Sequence, residues 1–171
     1  MKPFSEAIGR DWAWKRPRMW RRRYELLSDG EPLAVLEARS LLGASMWGET
    51  AGGEWQVRHQ GLLRGRVRIE PAGGGDALAE FHPRWFGAGD VTTRSGQSLR
   101  WHRADFWGRR WELVDTGGLA RLVFERAPGF LSPETSVRVS ESAARDPELE
   151  PLVLLGYYLL LLMVRQAHAA H

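Results

Sequence analysis

A chain of 171 residues, 43% hydrophobic and 26% charged, is long enough for one soluble domain with a substantial core. It has no cysteine, which excludes disulfides, Cys-ligated zinc and thiol chemistry. Net charge is only +3, and its cations are arginines apart from Lys2 and Lys15, a bias that reads as base composition of the source genome rather than as a binding signature. Residues 1–30 lack an apolar core followed by a small-residue cleavage site, so the expected location is cytoplasmic.

Residues 1–21 form a basic, tryptophan-rich segment leading into the domain. From Arg10 to Arg23 the text RDWAWKRPRMWRRR carries seven positive charges against one negative. Pro17 rules out a continuous helix and favours extended backbone before it. Two readings stand side by side. In one, Lys15, Arg16, Arg18, Arg21, Arg22 and Arg23 hold phosphate while Trp12, Trp14 and Trp20 insert or stack, on lipid headgroups or on single-stranded nucleic acid. In the other, this is a first strand whose aromatics pack inward and whose arginines face water.

Tyr24 to Arg39, YELLSDGEPLAVLEAR, predicts a hairpin turning at Ser28-Asp29-Gly30. Trp111 to Arg126, WELVDTGGLARLVFER, repeats its aromatic-Glu-Leu opening, Asp/Gly turn, Leu-Ala pair and closing arginine, 87 residues on at the first aromatic. Duplication and convergence explain this equally well. Between the two, strands are predicted at 54–59, 66–70, 77–82, 91–93 and 98–103, and a last one at 136–140, separated by glycine turns. Their spacing predicts ten to twelve strands over residues 22–145.

Residues 146–166 predict a helix. Asp146, Pro147, Glu148, Glu150 and Pro151 supply a cap, prolines for a first turn and anions for the positive dipole end. Leu152 to Val164, LVLLGYYLLLLMV, carries no charge and no polar stripe, and spans about 20 Å. A helix apolar all round must be enclosed all round, which a flat sheet cannot do. The expected fold is therefore mainly β: a closed antiparallel barrel of about 12 short strands wrapped around a central hydrophobic C-terminal helix, which also removes exposed strand edges. Gly156 costs about 1 kcal/mol in mid-helix and predicts a barrel aromatic packed closely against it. Residues 167–171, with His168 and His171, form a short tail.

Short hairpins with aromatic-Glu-Leu openings, followed by the acidic-proline start and leucine-rich helix DPELEPLVLLGYYLLLL, resemble the tubby C-terminal-like superfamily, which includes the LURP-one-related and phospholipid scramblase proteins. The resemblance covers residues 22–164. It implies a twelve-stranded barrel around a C-terminal helix and, by analogy with tubby proteins, binding of phosphoinositides through basic residues. No phosphoinositide-contacting motif aligns residue by residue, and the scramblase-type cysteine cluster is missing.

Catalytic signals are weak. His59, His82 and His102 have no metal-ligand spacing. His102 and Asp105 with Ser95 and Ser98 lack a nucleophile elbow, and Gly73-Gly74-Gly75 lacks the Lys-Ser/Thr of a phosphate loop. Glu112, Asp115 and Glu125 straddle a turn, as solubilising carboxylates do. The sequence thus predicts a non-enzymatic binding or scaffold module without metal or cofactor. Its expected partner is an anionic phospholipid or phosphoinositide surface, with the protein cytoplasmic or peripheral at a membrane. Nucleic acid is the less favoured alternative, a protein partner is open, and a scramblase-like helix emerging into a membrane is a third reading, disfavoured by the 13-residue run and its single flanking Arg165.

Overall fold

The computed structural model describes residues 1–39, 45–61, 65–129 and 134–169. After a 3-10 turn at Phe4–Glu6, twelve strands follow in order: β1 (Trp12–Lys15), β2 (Arg23–Ser28), β3 (Glu31–Glu37), β4 (Ser45–Thr50), β5 (Gly53–Gln60), β6 (Arg66–Pro71), β7 (Ala79–Pro83), β8 (Gly89–Thr93), β9 (Ser98–Arg103), β10 (Arg110–Val114), β11 (Ala120–Arg126) and β12 (Thr135–Val139). A short helix α1 (Glu141–Ala144) precedes the long helix α2 (Leu149–Ala169). Every strand pairs antiparallel with its sequence neighbour, and β1 closes the ring on β12 through Trp12↔Val137 and Trp14↔Thr135. The barrel thus begins at Trp12, inside the segment expected to precede it. The expected strands are all present, and β4, which has no prediction of its own, completes the ring.

Local chemistry accounts for the hairpins. Asp29 and Gly30 both sit at positive φ (52° and 80°), the pair of left-handed residues a two-residue hairpin turn requires. In the second hairpin the Asp115 carboxylate accepts from the backbone N–H of Gly117 and Leu119. Both hairpins carry a register shift at the same place, between Leu26 and Leu27 in one and Leu113 and Val114 in the other. Their similarity therefore extends to backbone irregularity.

The lumen is filled by α2. From Pro151 to Leu160 every residue is buried, on all sides of the helix, against inward residues such as Leu26, Leu36, Val57, Ile69, Val91 and Leu113. Enclosure stops at Leu160, earlier than the apolar run suggested. Leu161, Leu162 and Met163 are only partly buried, and Arg165 onward is exposed. By length and composition α2 is also apolar enough to cross a membrane, with half of its most apolar stretch inside the barrel. Burial pushes the Tyr158 phenol up to about 12, with the charge of Arg22 opposing, so this side chain stays neutral inside the barrel.

The acidic helix start is tied to the barrel. Asp146 caps the Glu148 N–H and accepts from Gln97 Nε2 and Arg121. Glu148 accepts the Ser95 N–H, and Glu150 accepts from Thr50 Oγ1 and the Gly52 N–H. These bonds fix which end of the barrel the helix enters.

Gly156 faces the aromatic its position in the sequence calls for. A Cβ built there would lie 2.5 Å from Phe124 Cζ. Gly156→Ala should gain about 1 kcal/mol of helix propensity but lose about 1–3 kcal/mol to overpacking. The expected outcome is a lower melting temperature, reversed when Phe124→Leu is added. A Gly156→Ala protein that melts higher than the parent would refute the close approach.

Candidate functional site

Because the strands alternate in direction, the connections β1–β2, β3–β4, β5–β6, β7–β8, β9–β10 and β11–β12 share one end of the barrel, and the others share the opposite end. The helix enters among the latter, where Glu148 and Glu150 are held. At 21 residues it spans about 32 Å and leaves at the former, where the β7–β8 connection meets it and a side chain at Gly87 would strike Met163. These are the entry and exit ends.

The predicted basic residues sit at the exit end. Lys15 closes β1 and lies 3.7 Å from Glu134, and Arg23 opens β2 between Glu25 and Glu37 (3.1 and 3.0 Å), so both are already paired. Arg16 bonds the Arg21 carbonyl and lies over the Tyr24 ring. Arg22 is half-buried, with its Nε unpartnered. Arg18 and Arg21 are exposed and, with Pro17, Arg23 and the carboxylate Glu25, wall an open cavity of about 340 Å³. Among the described residues, Arg16, Arg18, Arg21 and Arg22 have no carboxylate within 4 Å, which leaves their charge available.

The tryptophans divide. Trp12 and Trp14 are not available to a ligand, which corrects the stacking role expected of them. Trp12 is packed edge-on to Phe4 and donates to the Ala7 carbonyl, and Trp14 is fully buried, stacked on Tyr157 at 4.3 Å. Trp20 alone of the three is exposed. Strand alternation explains the split: positions 12 and 14 point inward, whereas Trp20 lies in the connection beyond Pro17.

Sequence reading missed two further exposed aromatic pairs at the same end, Trp85-Phe86 in the β7–β8 connection and Phe106-Trp107 in the β9–β10 connection. The available signal was two adjacent aromatics between a strand and a glycine, Trp85-Phe86-Gly87 and Phe106-Trp107-Gly108. An apolar pair in a turn has no inward phase to occupy. Beside the second pair, Trp107, Arg109, Arg126, Val164 and His168 wall an open cavity of about 550 Å³ at the helix exit.

Charge is segregated between the ends. Among the described residues, the exit connections with the helix end from Arg165 carry eight arginines against two carboxylates, Asp105 and Glu134. The connections and terminal segments at the entry end carry eight carboxylates against four cations. The small net charge thus conceals a strong dipole along the barrel axis.

The weaker catalytic and metal candidates do not assemble. His59 shares the inward phase of Val57 on β5, and burial pushes its pKa down. His82 and His102 take the outward phase on β7 and β9, beside Glu80 and Glu112, so these two face away from His59 across the barrel wall. Ser95 lies at the entry end, bonded to Glu148, whereas Asp105 lies at the exit end, accepting the Arg110 N–H. No group of three metal-ligating side chains occurs among the described residues. Comparison with family models, with curated proteins and with solved structures returns no match to this chain.

Proposed function

We propose that the protein is a tubby-like, non-enzymatic binding module that docks on anionic phospholipid surfaces through the exit end of its barrel. The observation that carries this reading is the set of arginines in the β1–β2 connection that, among the described residues, have no carboxylate partner, at the basic pole of a molecule whose other pole is acidic. Such a dipole orients the protein before contact, and each basic residue near an anionic membrane contributes about 1 kcal/mol. The architecture, a closed twelve-stranded barrel around an apolar C-terminal helix, is the one the family resemblance implies. Burial of Trp12 and Trp14 leaves Trp20 as the one tryptophan of this segment open to either kind of ligand. Location at a membrane periphery follows from the same proposal.

The test is co-sedimentation with phosphatidylcholine vesicles, with and without phosphatidylserine, across a salt series and with a single-stranded oligonucleotide as competitor. Binding should require the anionic lipid, weaken as salt rises and survive the oligonucleotide. Arg18→Ala with Arg21→Ala should lower affinity roughly 25-fold, about fivefold per arginine. Absence of anionic-vesicle binding, or complete displacement by oligonucleotide, would overturn the reading.

A further inference from the structure

Among the described residues, three connections at the exit end carry exposed aromatics: Trp20 with Met19 beside it, Trp85-Phe86 and Phe106-Trp107, whose five rings are between 74% and 97% exposed. In the ring of strands the β1–β2 and β7–β8 connections stand diametrically opposite, and β9–β10 lies on the arc between them. The three tips thus surround the mouth from which Leu161, Leu162 and Met163 emerge partly buried. Three points around an opening define a plane across the barrel axis, not a groove on its wall.

Two details show that the tips are built outward. Phe86 has φ +53°, a left-handed conformation that is costly for a bulky side chain, yet its ring is 97% exposed. Phe106 and Trp107 pack edge to face at 5.3 Å, so that pair is held as a unit in the open. Among the described residues the entry end has no counterpart, its largest exposed apolar side chain by fraction being Leu119 at 54%.

From this placement we infer that the exit end is a membrane-penetrating rim: the three aromatic tips insert into the interfacial zone of an anionic bilayer, with the surrounding arginines at headgroup phosphates and the barrel axis near the membrane normal. The inference rests on the proposed lipid reading and specifies its mode. A bilayer is the occupant because the chemistry is layered. Amphipathic indole rings suit the headgroup–acyl boundary, arginines beside them complement anionic headgroups, and isolated tips can each enter a fluid phase without needing a shaped partner. The binding energy should therefore have two parts, one screened by salt and one not.

The test uses the 171-residue chain with vesicles of phosphatidylcholine and phosphatidylserine, with and without brominated acyl chains. Bromolipid should quench part of the tryptophan emission on binding, and a fraction of binding should persist at 1 M salt. The double variants Trp85→Ala/Phe86→Ala and Phe106→Ala/Trp107→Ala should each lose affinity about tenfold or more and lose the salt-resistant fraction. Leu119→Ala, at the opposite end, should bind as the parent does. These side chains are exposed, so unchanged melting curves will certify the variants. Binding that is not quenched and that survives both double variants within twofold would overturn the rim while leaving the electrostatic reading intact. If the parent protein ignores anionic vesicles altogether, both fall.

Discussion

Removal of residues 147–171 is expected to leave a chain that does not fold. The helix fills the lumen, with eleven of its residues buried. At about 1.5–3 kcal/mol for each large apolar side chain withdrawn from water, that burial exceeds the roughly 5–15 kcal/mol by which a domain is stable. Its loss would also expose the inward face of the barrel, including Leu26, Val57, Ile69 and Leu113. Aggregated expression, or a soluble product with no cooperative thermal transition by circular dichroism, is the expected result. A truncated protein that stays monomeric and melts cooperatively would mean that the helix is an appendage, which is what a membrane anchor predicts. Closure by β1 and β12 alone cannot substitute, because a barrel of this size without its filling is a cavity far larger than any a core tolerates.

Trp14→Ala should be the most damaging single substitution in the basic segment, while Trp20→Ala, six residues on, should leave stability unchanged. Trp14 is fully buried with its ring parallel to Tyr157 at 4.3 Å. Truncating a buried aromatic to alanine costs about 3–5 kcal/mol, the stacked pair included. Trp20 is 80% exposed, and surface substitutions stay within about 0.5 kcal/mol. Urea unfolding of the two variants separates the readings of this segment directly. A Trp14→Ala protein as stable as the parent would show that β1 is not part of the wall. Vesicle binding should respond in the opposite order, weakened by Trp20→Ala and altered in Trp14→Ala only as far as that protein unfolds.

The penetrating rim gives a reason for the helix to run past its enclosure. Leu161, Leu162 and Met163 are partly buried where α2 leaves the barrel, and the exposed Arg165 follows them. Seating the rim in a bilayer would cover these side chains without withdrawing α2 from the barrel. The acidic start of the helix, bonded to Ser95, Gln97, Arg121, Thr50 and Gly52, holds it in place from the other end.

The candidate site was only half legible because strands and connections encode different things. Arg18 and Arg21 stood out as charge density in one dimension, and they are exposed as such residues should be. Trp12 and Trp14, in the same stretch, read either as ligand contacts or as the inward side of a first strand. Only the pairing of β1 with β2 and β12 decides that both face inward. Trp85-Phe86 and Phe106-Trp107 lie 65 and more residues from Trp20, so nothing local marks the three tips as one surface.

By itself the sequence determined the barrel and its filling. A helix apolar on every side has to be surrounded, and short alternating strands joined by tight turns supply the only wall that closes; Gly156 called for a closely packed aromatic, and the structure identifies it as Phe124. It did not announce β4, Ser45–Thr50, where Gly48 occupies an inward position against Leu154 and so breaks the apolar alternation that marks a strand. What the tertiary structure alone decided is the polarity of the molecule. Which connections share an end depends on the parity of the strands and on closure through β1 and β12, quantities that no window of residues contains. The gathering of the arginines and aromatic tips around one mouth follows from that parity.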